Sequence, residues 1–264
     1  MRISLVFAAA VVWCASALVV RADLINEVVA HDMHINPRVS GNVENSNFGA
    51  GGSAIVGGTT SGNDFQVPLF RWTLSTVPAN HIATSNGTIT LNLLAGSLPF
   101  INGVDQVAVH YIKPGNAGWI QGDGGAGSPD ADGEPTWNNF AHPSTAWVGG
   151  PGLGNNAGGG ASGYETAFHT FTYDSSQSQV VIPVDISVIN DWIANPGNNA
   201  GILMRQITMD GTERLQRIHS REGNLALAAV LSFETALVPE PSGVLLASIG
   251  VAGIAAVRRR RRRK

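Results

Sequence analysis

The chain is short of the residues that build covalent or electrostatic frameworks. It has one cysteine, Cys14, in 264 residues. An intramolecular disulfide is therefore excluded, and stability must come from a buried core, with a bound metal as the other route. Charged residues make up 13% and aromatics 7%, and no stretch shows the sustained 3.6-residue apolar periodicity of long amphipathic helices. Basic residues are scarcer than the total of 16 suggests. Seven of them end the chain as Arg258, Arg259, Arg260, Arg261, Arg262, Arg263 and Lys264, and Arg2 and Arg21 sit at the other end. Between Asp23 and Val238 only seven basic residues face 18 acidic ones, a net charge of −11. Nucleic acid and anionic lipid are poor partners for such a body, whereas neutral glycans and divalent cations suit it.

Both ends read as addresses. Arg2 supplies a positive start, Ile3 to Val20 is almost wholly apolar, and small residues follow. This is the pattern of a signal peptide over 1–22, with cleavage after Ala22 or after Ala17, handled by the Sec machinery. At the other end Val238, Pro239, Glu240 and Pro241 precede an apolar run from Gly243 to Val257 and then the seven cations. Positive charge crosses a bilayer at high cost, so the basic stop stays cytoplasmic and the body lies outside. This order resembles the PEP-CTERM sorting signal, here 236–264. The resemblance implies that a membrane-embedded exosortase recognises the tail, cuts near Pro-Glu-Pro and delivers the protein to the cell surface or extracellular matrix. A helix over 243–257 spans about 22 Å against a bilayer core of about 30 Å, which favours transient over lasting insertion.

The body between these signals reads as all-β. Alternating runs over 66–74, 87–94, 106–112, 169–173, 179–184, 202–208, 215–219 and 225–234 predict strands separated by turn residues. Many short strands predict a sandwich or jelly roll rather than a parallel α/β sheet. One short helix is predicted, capped by Ser187, running through Trp192-Ile193 and stopped at Asn195-Pro196-Gly197. Residues 49–62 and 115–163 are glycine-rich and read as loops. The second is too long for a compact domain unless it is functional or something orders it.

A series of distinct short segments runs along the body: Asn47-Phe48-Gly49, the run Leu69 to Pro78, Thr88 to Leu93, and Thr136-Trp137-Asn138-Asn139. Val184-Asp185-Ile186-Ser187, Asn199 to Leu203 and His219-Ser220-Arg221-Glu222 complete it. Their order over 23–235 resembles the DNRLRE-type domain. That resemblance implies a jelly-roll β-sandwich similar to carbohydrate-binding modules, and a non-catalytic role in binding extracellular polysaccharide. Trp72 stands where that family has Phe-Asp.

Candidate chemistry concentrates in the 115–163 loop. Asp123, Asp130, Asp132 and Glu134 offer hard oxygens on a glycine-rich segment, a donor set for Ca²⁺, though without the spacing of an EF-hand. The alternative is a solvated acidic loop. Trp119, between Gly118 and Ile120, Trp147, just before Val148-Gly149-Gly150, and Tyr164 just beyond are candidates for stacking on a sugar ring. Trp72, Trp137 and Trp192 are assigned to the core. His31, His34, His110, His142, His169 and His219 show no metal-site spacing. No Gly-x-Ser-x-Gly is present. A structural or adhesive matrix protein without a sugar site is the second reading, and a polysaccharide-active enzyme with two distant carboxylates the third.

Overall fold

The computed structural model describes residues 22–36, 46–59, 64–94, 105–124, 133–141, 143–148, 163–173, 176–207 and 214–238. The expected signal peptide up to Arg21, Asp130, Asp132, the sorting residues beyond Val238, the apolar run 243–257 and the basic stop lie outside these. Among the described residues no helix is long and apolar enough to cross a membrane.

Two antiparallel sheets form the body. The first contains β1 (Asp23–Val28), β5 (His81–Ala83), β6 (Gly87–Asn92), β11 (Gln179–Val184) and β14 (Val230–Leu237), in the order β1-β14-β6-β11 with β5 also on β14. The second contains β2 (His31–Ile35), β3 (Ser53–Thr59), β4 (Asp64–Arg71), β7 (Gln106–Ile112), β10 (Tyr164–Thr172), β12 (Ile202–Gln206) and β13 (Arg214–His219), in the order β10-β7-β12-β4-β3-β13 with β2 on β4. A bridge between Leu93 and Ile218 joins the sheets at one edge. A separate small hairpin pairs β8 (Asn139–Ala141) with β9 (Thr145–Ala146).

The sequence dictates this layering through period-two alternation. In β11, Val180, Ile182 and Val184 are buried while the residues between them are exposed. These join Ile89, Leu91, Leu231 and Phe233 of the first sheet and Phe70, Val107, Val109, Ile202 and Met204 of the second in one core. The first sheet shows water its other face. The second does not: Met33, Ile35, Val67, Leu69, Ile112 and Leu203 form a separate buried cluster with Trp119, Trp137 and Trp147. Both faces of the second sheet are therefore covered, which is why Leu69-Phe70 and Ile202-Leu203-Met204 read as unbroken apolar runs.

The helix α1 (Ile186–Ala194) lays Ile189 and Trp192 on the main core. Its cap is Asp185, not Ser187: the Asp185 carboxylate accepts from the Ser187 N–H at 2.7 Å and its hydroxyl at 2.6 Å. Those hydrogen bonds hold the Asp185 carboxyl below the usual range. Aspartate and serine are both good caps, and the strand geometry of Val184 places the earlier one at the helix entrance. Asn190 then fixes the helix to β5, accepting from the Ala83 N–H at 2.7 Å and donating to its carbonyl at 3.2 Å.

Residues 49–62 do not form a loop throughout, since Ser53–Thr59 is a strand with Ala54 and Val56 in the core. Gly57 and Gly58 adopt φ of 110° and 157° within it. The expected strand at 225–234 begins as a 3₁₀ turn, Leu225–Leu227, before β14. Gly201 is needed for a steric reason. It has φ +80°, and a Cβ there would lie 2.0 Å from the Phe70 carbonyl oxygen. Gly201→Ala is expected to destabilise the body by at least about 2 kcal/mol, read as a lower urea midpoint at unchanged slope.

Candidate functional site

The described parts of the glycine-rich segment, 115–124, 133–141 and 143–148, form a third layer over the second sheet. Trp119 is 1% and Trp147 2% exposed. The expectation that these two indoles present open faces to a sugar is therefore corrected: the outer face of the sheet is apolar and they cover it. Their N–H groups are used internally, Trp119 Nε1 donating to the Ala200 carbonyl at 2.8 Å and Trp147 Nε1 to the Thr136 carbonyl at 2.9 Å. Trp137 is buried edge-on to Phe65, with ring centroids 5.3 Å apart, and Trp72 and Trp192 are buried in the main core as expected. Asn116 knots the layer together, donating to the Gly163 carbonyl at 3.1 Å and accepting from the Val148 N–H at 2.7 Å.

Tyr164 is half-buried beside His110, with ring centroids 4.6 Å apart. The Arg205 guanidinium donates to its hydroxyl and lies 5.6 Å from its ring centroid. Burial lowers the His110 pKa, the Glu165 carbonyl opposing and Arg205 reinforcing the shift. This is a compact polar-aromatic patch, with its aromatic ring already in contact with two side chains.

The acidic set divides. Asp123 is exposed and Glu134 is buried. A Glu134 oxygen accepts from the Asp123 N–H at 3.0 Å, and a Cβ at Gly122 would lie 2.3 Å from the other. Glu134 thus holds the loop backbone. Asn47 performs the same task from the opposite side, donating to the Pro135 carbonyl at 3.0 Å and accepting from the Gly49 N–H at 2.7 Å. Among the described residues no group of three His, Cys, Asp or Glu side chains is placed to hold a metal ion.

The ionisable groups with the largest shifts gather where β2 begins. Asp32 is fully buried and accepts from the Arg221 N–H at 2.8 Å. Burial, reinforced by the Glu222 charge and hydrogen bond and opposed by Arg221, raises its pKa to about 7. His31 falls to about 4 through burial and the nearby Arg71 and Arg221 charges. Its Nδ1 accepts from the Gln121 N–H at 3.2 Å. The Arg71 guanidinium lies 5.4 Å from the Trp119 ring centroid. Arg221 also donates to the Ala30 carbonyl at 2.7 Å, so the His219–Glu222 segment fastens backbone. The individual members were visible in the sequence, but it is the fold that brings them together: β2–β4 pairing sets His31 opposite Arg71, and the turn after β13 brings Arg221 to Asp32.

A cleft of about 190 Å³ lies at the pole where the described chain ends. Leu74, Val77, Pro78 and Asn80 form one wall, Trp192, Ile193 and Pro196 the other. Glu27 braces the first wall by accepting from the Thr76 N–H at 2.6 Å. The β14–β5 register places Leu237 opposite His81, and the Val238 N–H donates to the Asn80 carbonyl at 2.8 Å. No sequence signal marked this cleft. The tail that begins here is recognised independently. Residues 237–262 match the PEP-CTERM protein-sorting motif. A PEP-CTERM tail implies export, exosortase as the processing partner, and a destination at the cell surface or outside the cell. No curated protein matches the chain.

Proposed function

We propose that the exported body is a non-catalytic structural or adhesive domain of the cell surface or extracellular matrix. The observation that supports this most is the burial of all five described tryptophans. They stabilise a three-layer body and leave no broad indole face for a sugar ring. On this reading the body is of the DNRLRE, jelly-roll type. Export takes it through an inner-membrane intermediate in which 243–257 is inserted, and exosortase cuts the tail.

Polysaccharide binding is the second reading, favoured by the half-buried Tyr164, His110 and Arg205 on the sheet surface. Arginine supplies a planar donor fork for sugar hydroxyls or uronate carboxylates. A glycan array with the processed body, run in calcium and in chelator, separates the readings. The structural reading expects no reproducible retention on neutral or acidic polysaccharides. Retention lost on Arg205→Ala moves the assignment to polysaccharide binding. A Ca²⁺ role for Asp130 and Asp132 expects the melting temperature in chelator to fall, and an unchanged melting curve removes it.

A further inference from the structure

We propose that β1 is a pairing edge, which joins the first sheets of two copies of this chain across a two-fold axis. The inference rests on the structural or adhesive reading and names its partner, a second copy. The first argument is elimination. A sheet edge is a row of unpaired N–H and C=O groups, and proteins blunt such rows with proline, bulges, charge or a cover. Among the described residues the edges of the two sheets are treated in this way, with one exception. β11 carries Pro183, and β10 has register shifts on either side of Ala167. β13 is bridged to Leu93 of the first sheet. Asn190 takes up both backbone groups of Ala83 in β5, and Gln121 accepts from the Asp32 N–H in β2. β1 has no such device. It runs against β14 without a register shift, contains no proline, glycine or basic residue, and has no strand on its other side.

The second argument is the direction of the backbone groups. The Val29 N–H donates to the Ala229 carbonyl at 2.8 Å, in line with the β1–β14 register. Alternation then turns the backbone groups of Ile25 and Glu27 toward β14 and those of Leu24, Asn26 and Val28 to the open edge. A two-fold axis at Asn26 sets Asn26 opposite the partner's Asn26 and Leu24 opposite the partner's Val28. These are the residues with open groups, so each of the three pairs exchanges both of its hydrogen bonds.

The third argument is that the side chains select this register. Leu24 is 65% and Val28 40% exposed, and here each covers its opposite number. A slip of one residue turns the two sheets to opposite faces. A slip of two opposes acidic groups in either direction, Asp23 with the partner's Glu27 or Glu27 with the partner's Glu27. The outer side of β1 carries no charge, so two bodies of net charge −11 meet there with little direct repulsion. A six-residue edge covers less than the roughly 1,200–2,000 Å² of a standard interface, so pairing builds where copies are held close together, as on a surface.

In this register Asn26 faces its own copy at a Cα separation of about 5.5 Å, within disulfide reach. The test uses the full chain in detergent with Cys14→Ser throughout. Under mild oxidant, Asn26→Cys is expected to form a disulfide-linked dimer at least about tenfold faster than Thr88→Cys or Leu24→Cys. Thr88 is exposed on the same face, two strands from the edge, and Leu24 lies about 13 Å from its own copy. Equal rates, or faster coupling through Leu24→Cys, overturn the proposal. A second measurement adds Leu24→Lys and Val28→Lys to Asn26→Cys. Both positions are exposed, so the fold is spared while ammonium meets ammonium on either side of the axis. Dimer formation should slow at least about tenfold, and an unchanged rate also overturns pairing. Neither measurement involves a sugar, so the glycan array tests the structural reading separately.

Discussion

Trp119→Ala should destabilise the body by about 3–5 kcal/mol, as expected for removing a fully buried indole. For a domain of this size that corresponds to a fall in melting temperature on the order of 10 °C. Three losses coincide. The indole leaves a void in the cluster with Met33, Ile35 and Leu203, the Ala200 carbonyl loses its donor, and Arg71 loses the ring it lies over. A sugar-binding tryptophan behaves in the opposite way, since truncating an exposed side chain removes affinity and changes stability by only about 0.5 kcal/mol. Calorimetry on the variant therefore separates the two roles directly. Trp147→Ala should lie in the same range, because Trp147 is equally buried and bonded to Thr136. A melting temperature within a degree or two of the parent would refute the three-layer account.

The second large effect is acid lability centred on His34. Burial, with a smaller contribution from the Arg217 charge, lowers its pKa from 6.5 to about 3. A depressed folded-state pKa means that the unfolded chain binds the proton first. The His34 contribution is therefore present above about pH 6.5 and is lost as pH falls toward 3. The shift corresponds to an upper bound of roughly 4–5 kcal/mol. His31 acts in the same direction, and its partial exposure discounts it. Asp32 acts in the opposite direction, because its raised pKa makes stability fall as pH rises from about 3.8 to about 7. His34→Phe keeps a ring against Phe48, now stacked at a centroid distance of 4.6 Å, and removes the titrating group. Urea midpoints at pH 7 and pH 4 should differ far less in the variant than in the parent. Equal differences would show that the imidazole is not the acid-sensitive group.

The parts of the fold legible in the sequence were those with unmixed signals. The expected strands at 106–112 and 179–184 coincide with β7 and β11 because both are short runs rich in valine and isoleucine and free of glycine. β3 was hidden by Gly57 and Gly58, which lower strand propensity although Ala54 and Val56 keep the inward period. β1 and β2 were hidden by polar residues that tertiary contacts bury, among them Glu27, Asp32 and His34. A sequence gives no sign that Glu27 will meet the Thr76 N–H across 49 residues. The tryptophans show the limit most clearly. Glycine neighbours suggested open loop positions, while the information that buries them lies elsewhere, in the uninterrupted apolar runs of β4 and β12. The tail was legible throughout, because an apolar run between Pro-Glu-Pro and a cation block is a linear signal that does not depend on folding.

The pairing of β1 with β14 has a consequence in time. β1 has β14 as its neighbour in the sheet, with Asp23 opposite Thr235 and Val28 opposite Val230. The segment that emerges first from the translocation channel must therefore wait for the one that emerges last. Closing a loop of that length is slow, and although β6 and β11 can pair earlier, β1 and β5 find their neighbour only when β14 arrives. The first sheet is thus completed only when β14, the strand next to the sorting tail, has been delivered. Delivery of the tail and completion of the fold become a single event.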